Sequence, residues 1–335
     1  MKKFLIPAIL VLFSGVLFAQ TKVGTTAANF LTIPVGPRAT GMGGAFTAVA
    51  NDATTAYWNA GGLSRIPRSE ITFAYTEWLV ETKFNWFGAA LKIDEDNAVA
   101  LFVNQLDYGD EEITSPSAPN GTGERWKAED IVVGISYAKN LTDKFSIGGT
   151  VKYISQSIWN ESATAWAVDI GLLFYTPMDG LNLGMNISNF GTEMKLDGED
   201  LLRPADIDPA HTGNNANITS KLETDSWPLP LIFAVGLSYN VLSRDSDWRW
   251  LLSSDAVVPN NQSTYGNLGT ELVWNDIISL RVGYNSLLKA DAEEGLTAGV
   301  GVQYDFGSFF AKFDYSYSDF GVFDQISRFS LSVGI

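Results

Sequence analysis

The chain has 335 residues, of which 13% are aromatic and 18% are charged, with a net charge of −16 and no cysteine. The charged fraction is below the roughly 25% of soluble domains, yet a mean hydropathy of +0.04 is too low for a bundle of membrane helices. The absence of cysteine excludes disulfides and thiolate metal sites, and the acidic balance argues against a nucleic-acid partner, because phosphate binding needs basic patches.

The first 19 residues have the pattern of a secretory signal peptide. Lys2 and Lys3 precede an apolar run that ends at Leu17, and the small residue Ala19 stands before the polar Gln20. This run is shorter than the roughly 20 residues of a membrane-spanning helix. We therefore expect residues 1–19 to be cleaved during export to the outer membrane of a Gram-negative bacterium.

Residues 20–68 differ in composition from the rest of the chain. They are rich in Gly, Ala and Thr and lack an alternating pattern. The stretch Arg38 to Asn51 could form a short helix, and Asn59 to Ser64 is typical of a turn. Gly41-Met-Gly-Gly44 does not match a nucleotide-binding loop. We interpret residues 20–68 as a compact N-terminal plug, or hatch, whose glycines allow close packing against a barrel wall.

From Ser69 to the C-terminus, apolar and polar residues alternate with a period of two. Fourteen such segments can be counted, of which residues 83–92 and 264–275 show the weakest pattern. Strands with one apolar and one polar face are typical of membrane barrels. The sequence thus predicts an all-β fold, a 14-stranded antiparallel transmembrane β-barrel over residues 69–335.

The lengths of the connections support this topology. Connections after even-numbered strands are short, whereas most of those after odd-numbered strands are longer, and the two longest cover residues 107–127 and 190–227. Short periplasmic turns and long outer loops are typical of such barrels. Tryptophans near predicted strand ends could form interfacial girdles; they are Trp78, Trp86, Trp166, Trp248, Trp250 and Trp274.

The two long loops are candidates for a partner site. Trp126 and Trp227 lie at their ends, and Leu201 and Leu202 lie within the second loop. Aromatic and aliphatic anchors of this kind can carry much of the energy of a protein interface. Trp126 and Trp227 could equally belong to the girdle.

Six charged residues fall on the polar phase of their strands and should face the lumen: Lys152, Asp169, Glu271, Arg281, Lys312 and Asp314. These charged side chains either form hydrogen bonds to the plug or only keep the lumen hydrated.

No pattern of catalytic residues accompanies these features. His211 is the only histidine and lies in a polar stretch, and the acidic runs lack the ligand spacing of a calcium loop. We expect a protein that is not an enzyme and has neither a cofactor nor a catalytic or metal site.

The N-terminal region resembles a known family. The stretch from Gly36 to Asp52, followed by Thr55 to Leu63, resembles the signature of the PorV/PorQ outer-membrane proteins, and it contains Gly41, Gly43, Gly44, Trp58, Asn59 and Gly62. That family is similar to the FadL-like transporters, whose plug carries a related Asn-Pro-Ala-Gly turn. This chain has Ala60 and Gly61 in that turn, and it ends in Ile335 instead of an aromatic residue.

The resemblance implies contact with outer-membrane lipid and leaves two roles open. PorV-like members act in type IX secretion, where they hold exported proteins by C-terminal sorting domains together with other secretion components. FadL-like members pass hydrophobic small molecules inward. The polar character of residues 206–225 favours protein binding, because a collector of hydrophobic ligands should have an apolar groove.

Overall fold

The computed structural model describes residues 23–211, 215, 217–242, 246–289 and 292–335. The predicted signal peptide lies outside these residues. Among the helices described, none combines the length and apolar character needed to cross a bilayer.

Fourteen antiparallel strands form one closed sheet, which confirms the predicted fold class. Each strand pairs with its neighbours in sequence, and β1 pairs with β14 along seven residue pairs, with Glu70 opposite Gly334. The strands are β1 Glu70–Glu77, β2 Lys83–Lys92, β3 Asn97–Glu112, β4 Arg125–Thr142, β5 Phe145–Ile158, β6 Glu161–Tyr175, β7 Leu181–Gly191, β8 Ile232–Asn240, β9 Trp248–Pro259, β10 Tyr265–Trp274, β11 Ile278–Leu287, β12 Leu296–Asp305, β13 Phe310–Asp319 and β14 Gln325–Gly334.

The period-two pattern gives the barrel two chemically different surfaces. In the middle of β4, Ile135 is 63% exposed on the outside, whereas its neighbour Ser136 is fully buried in the lumen. The outward positions of the other strands are likewise apolar, as Leu280, Val300 and Leu331 illustrate. Such a belt is what lipid contact requires, since no backbone group of a closed barrel is left unpaired in the hydrocarbon.

The connections agree with the predicted orientation, with two corrections. All six connections after even-numbered strands are short turns. β5 and β6, however, are joined by only Trp159 and Asn160, although a longer outer loop was expected there. The predicted loop 107–127 is also shorter than expected, because pairing of β3 with β4 continues to Glu112 and Arg125. Only residues 113–124 connect these strands.

The strands on one side of the barrel therefore extend further beyond the membrane than the strands on the other side. β3 and β4 have 16 and 18 residues, whereas β8 has nine and β10–β14 have ten each. About ten tilted residues suffice to cross a bilayer, so the β3–β4 hairpin extends roughly 20 Å beyond it at 3.3 Å per residue. The long connection 192–231 lies on the same side, where Asp197 and Gly198 pair with the outer end of β6.

Residues 23–68, here called the inner segment, lie in the lumen. They contain two short helices, α1 Pro37–Gly41 and α2 Thr55–Trp58, and two 3-10 turns, Asn29–Thr32 and Ala60–Arg65. The expected helix from Arg38 to Asn51 was wrong beyond Gly41, because Gly43 and Gly44 both have positive φ and end it. Such a backbone suits glycine and interrupts a helix.

A charge on the outer surface should destabilise the barrel only at membrane depth. Val300 lies in the middle of β12 and Leu288 lies in an outer connection, where it is 89% exposed. We expect Val300→Arg to lower the free energy of unfolding by about 2–4 kcal/mol, and Leu288→Arg to change it little. Urea unfolding in lipid vesicles, followed by the heat-modifiable band on SDS gels, measures both. Equal effects would contradict the membrane assignment.

Candidate functional site in the lumen and at the outer rim

Glycines on both sides let the inner segment touch the wall backbone to backbone. A Cβ added to Gly61 would lie 2.7 Å from the backbone of Gly171 on β6, and one added to Gly43 would lie 2.7 Å from Tyr284 N on β11. Gly41 faces Gly299 of β12 in the same way, at 3.1 Å. No side chain fits at these contacts, so the inner segment and the wall are matched in shape.

Asn59 fastens the inner segment to β6. Its side chain is fully buried, and its amide nitrogen donates to the carbonyl of Thr47 at 2.7 Å and to that of Leu172 at 3.0 Å. Its amide oxygen accepts from the N–H of Gly61 at 3.0 Å. One amide therefore links two parts of the inner segment to the wall. Because every polar atom of the group is used, an aliphatic residue could not replace it without leaving buried carbonyls unpaired.

The other signature residues lie beside these contacts. The N–H of Gly43 donates to Thr297 Oγ1 at 3.0 Å, and Gly44 packs against Asn267. Gly62 lies against Ala50 within the inner segment itself. Trp58 donates its indole N–H to the carbonyl of Val35 at 2.9 Å. The structure thus places all six signature residues between the inner segment and the wall or within the inner segment, while a gating role stays a prediction.

A cluster of seven charges, five of them buried and Arg38 and Lys312 partly exposed, holds the periplasmic half of the inner segment. It consists of Arg38 and Asp52 from the inner segment and of Glu70, Glu271, Arg281, Lys312 and Asp314 from the wall. Arg38 contacts Asp52 at 3.0 Å and Glu271 at 2.9 Å. Arg281 contacts Glu271 at 2.8 Å and Asp314 at 2.6 Å. Inner segment and wall therefore share one charge network.

Burial and ion pairing have opposite effects on the pKa values of the charged groups in this cluster. Burial alone would lower the pKa of the Arg38 guanidinium, but the carboxylates of Glu271 and Asp52 outweigh it and raise that pKa above its usual value. Burial alone would raise the pKa of Asp52, but Lys312 and Arg38 lower it. Both groups therefore stay ionised, and removing one partner leaves a buried charge poorly compensated.

The six charges predicted to face the lumen are all buried there or nearly so, which confirms their placement. Lys152 and Asp169 pair at 2.7 Å outside the cluster. Arg38 and Asp52 were missed as partners, although they are the only charged residues between positions 23 and 64. An isolated pair of opposite charges in such a neutral stretch was the available signal.

An apolar layer fills the outer half of the lumen on the β3–β7 side. Phe30 and Leu31 of the inner segment pack in one cluster with Phe102, Met194 and Leu229. The N–H of Ala27 donates to the carbonyl of Pro228 at 3.0 Å. The start of the inner segment and the base of the connection 192–231 therefore close the outer mouth together.

The two larger cavities among the described residues lie on either side of the inner segment. One, here called the outer cavity, has about 230 Å³ and lies between the inner segment and the wall. The other, the periplasmic cavity, has about 480 Å³ and extends from the turn Asn275–Ile277 to Arg38. Both are lined largely by polar side chains.

The outer rim places one of the four partner candidates, Trp126, outside its predicted loop. Trp126 lies within β4 opposite Glu111, and is only partly exposed. Trp227 is 45% exposed and pairs with Met194 in a two-residue ladder. Leu201 ends a 3-10 turn and Leu202 begins a short strand that pairs with residues 218–221. The connection 192–231 thus brings three candidates together, whereas Trp126 belongs to the neighbouring hairpin.

Two of the predicted girdle tryptophans also lie elsewhere. Trp86 is 1% exposed inside the lumen and stacks on Phe102, and Trp78 contacts Phe320 and Arg328. The period-two phase of β2 points Trp86 inward. The remaining four, Trp166, Trp248, Trp250 and Trp274, are 40–59% exposed on the outer surface.

Comparison with known families decides the assignment. A model described as "Type IX secretion system protein PorV" matches residues 18–207, more than half of the chain. The chain belongs to the PorV family. This membership, together with the barrel, places it in the outer membrane of a Gram-negative bacterium, in contact with lipid. No curated protein matches the chain.

Solved structures share the fold of this PorV-family barrel. A monoaromatic hydrocarbon channel, CymD, is 14% identical, with a TM-score of 0.55 over 90% of this chain and 96% of its own. The Pseudomonas putida toluene transporter TodX is 13% identical, with a TM-score of 0.53 over 95% of this chain and 98% of its own. At this identity the likeness shows the barrel fold alone and nothing about the ligand.

Breaking the charge cluster should loosen the inner segment. We expect Arg38→Met to lower the free energy of unfolding by about 1.5–3 kcal/mol, because charged hydrogen bonds to Glu271 and Asp52 are lost in a buried site. Arg68→Met is the matched control, since the pair of Arg68 with Asp305 is exposed to solvent and exposed pairs contribute little. Thermal unfolding in detergent measures both variants, and an equal effect would show that the cluster has no special role.

Proposed function

We propose that this barrel binds exported proteins at the outer membrane as part of type IX secretion, and that its role is binding rather than catalysis. The observation that carries the proposal is the filled lumen, because a barrel packed with its own chain offers an exported protein its outer rim and not its interior. The family match supports the same reading. The partners we propose are exported proteins with C-terminal sorting domains and other secretion components.

We further propose that the inner segment is a plug, with residues 20–68 forming it and residues 69–335 the barrel. Its backbone contacts with the wall, the Asn59 amide and the charge cluster all fix it within the lumen. A passage for solutes would require all three to be broken or displaced together.

A methyl group added to the wall should test this plug. A Cβ at Gly171 would collide with Asn59 and lie 2.7 Å from Gly61 N, whereas one at Gly149 would meet nothing closer than Asp169 O at 3.5 Å. We expect Gly171→Ala to raise ion conductance in planar bilayers and Gly149→Ala to leave it low. If wild type already conducts strongly, or if both variants behave alike, the segment is not a plug.

The outer rim supports the binding proposal through its shape and its charge. The raised β3–β4 hairpin and the connection 192–231 form one wall on the same side of the mouth. Residues 107–129 contain six acidic and two basic side chains, and residues 192–231 contain eight acidic and three basic ones. A partner with a basic surface is favoured, and its association should weaken with added salt.

Uptake of hydrophobic molecules is the second candidate, and the likeness to hydrocarbon channels favours it. Two features of the lumen count against it. The apolar layer at the mouth is occupied by Phe30 and Leu31 of the chain itself. The lining of the outer cavity mixes amides, hydroxyls and charges with apolar side chains such as Phe102, Ile232 and Val257, whereas sites for apolar ligands are mostly apolar.

Shortening the outer connections separates the two functions. One variant lacks residues 114–123 and another lacks 199–222, which leaves the ladder of Met194–Lys195 with Ser226–Trp227 in place. We expect both variants to lose capture of an exported protein with a C-terminal sorting domain, at unchanged uptake of a long-chain fatty acid. The control shortens the periplasmic turn 93–96 by one residue. Unchanged capture with lost uptake would favour the transporter function.

A further inference from the structure

The outer cavity is enclosed on its sides and opens at one end to the outer surface of the protein. Gln262, Lys289 and Glu294 line that end and are all only partly buried. The Nζ of Lys289 donates to Gln262 Oε1 at 2.7 Å. At about 230 Å³ the cavity is smaller than the roughly 300–1,000 Å³ of pockets for drug-sized ligands, so it has room for a ligand of a single ring.

Most charges around the cavity have partners within the protein. Lys152 contacts Asp169 at 2.7 Å and also donates to the Asn189 amide oxygen. Lys289 lies over the ring of Tyr265 and near Glu294. One carboxylate oxygen of Asp255 accepts from the N–H groups of Phe46 and Thr47, whereas its Oδ1 has no hydrogen-bond partner in the described residues. Since the cations are paired and a carboxylate oxygen is free to accept, the cavity favours a neutral ligand with hydrogen-bond donors.

Neutral hydrogen-bonding groups make up much of the remaining lining. Asn104, Asn186, Ser188, Asn267 and Ser286 face the cavity from four strands, β3, β7, β10 and β11. Asn104 and Asn186 are at most 5% exposed, and each keeps side-chain atoms without a hydrogen-bond partner in the described part of the chain. Buried polar atoms without partners are unfavourable, and a ligand with several hydroxyl or amide groups would supply partners at this side of the cavity.

Two aromatic rings of the inner segment line one side of the cavity. Tyr57 and Trp58 both line it and contact each other edge to face at 5.2 Å. Their polar atoms are already used, since the Tyr57 hydroxyl donates to the carbonyl of Ile33 and the Trp58 indole to that of Val35. They therefore present apolar surface, which suits the C–H face of a sugar ring better than a charged group.

We propose that the outer cavity binds a small neutral polyhydroxylated molecule of the size of a monosaccharide. The amides and hydroxyls of the wall recognise its hydroxyl groups, and Tyr57 and Trp58 pack against its ring. This ligand class differs from the monoaromatic hydrocarbons named for the structural neighbours. The site is independent of the binding of exported proteins at the rim.

Isothermal titration of the full-length protein tests the proposal. The protein is purified in an N-oxide detergent, because sugar-headed detergents would compete, and is titrated with glucose, galactose and N-acetylglucosamine. We expect saturable binding of at least one sugar with a Kd of about 1 mM or lower, and none of toluene. Asn186→Leu should weaken that binding about tenfold or more, because a buried polar contact is lost.

Asn182→Leu is the matched control, since Asn182 lies on the same strand but outside the cavity lining. Heat-modifiable migration confirms that both variants are folded, and capture of exported proteins is expected to be unchanged in both. No saturable binding of any of the three sugars would overturn the proposal. It would also be overturned by binding of toluene in their place, or by equal weakening in the two asparagine variants.

Discussion

Close approach of two backbones inside the barrel is the constraint on which the rest of this structure depends. Glycine stands on both sides of the contact at Gly61 with Gly171 and at Gly41 with Gly299. Because no side chain separates the two backbones there, the inner segment takes the space that would otherwise be a channel. Its charges then have no bulk water and need partners, which explains why Arg38 and Asp52 join the wall residues in one network. Members of the network line the periplasmic cavity, and polar groups outside the network contribute to the lining of the outer cavity.

Because the interior is filled, the proposed binding of exported proteins depends on the outer surfaces of the barrel. The outer surface of the strands is an apolar belt for lipid, and the periplasmic turns are short, so the raised side of the outer rim is the polar surface that the proposed binding function uses. The same FadL-like scaffold occurs in hydrocarbon channels. Under the proposed function, a barrel fold that is shared with hydrocarbon channels serves a different purpose in this chain.

The sequence predicts the strands well because each strand carries its own signal. Lys83–Lys92 coincides with the predicted bounds, and Tyr265–Trp274 differs by a residue at each end. Features that depend on contacts with another strand or with a distant part of the chain were harder to predict. Trp86 was placed in the girdle because its strand phase was not followed, and Trp126 was placed in a loop because cross-strand pairing beyond the membrane leaves no apolar alternation. The cluster around Arg38 joins residues more than 200 positions apart, and local patterns carry no information about such a pairing.

The position of the inner segment at the start of the chain has a consequence for the order of assembly. Its helix α1 packs mainly against β11, β12 and β13, which are among the last strands to be synthesised. The inner segment is therefore synthesised well before the strands that it contacts. The sheet closes around it when β14 pairs with β1. Contacts of such long sequence separation make folding slow. In this arrangement the inner segment reaches its final contacts only late, when the strands at the end of the chain are in place.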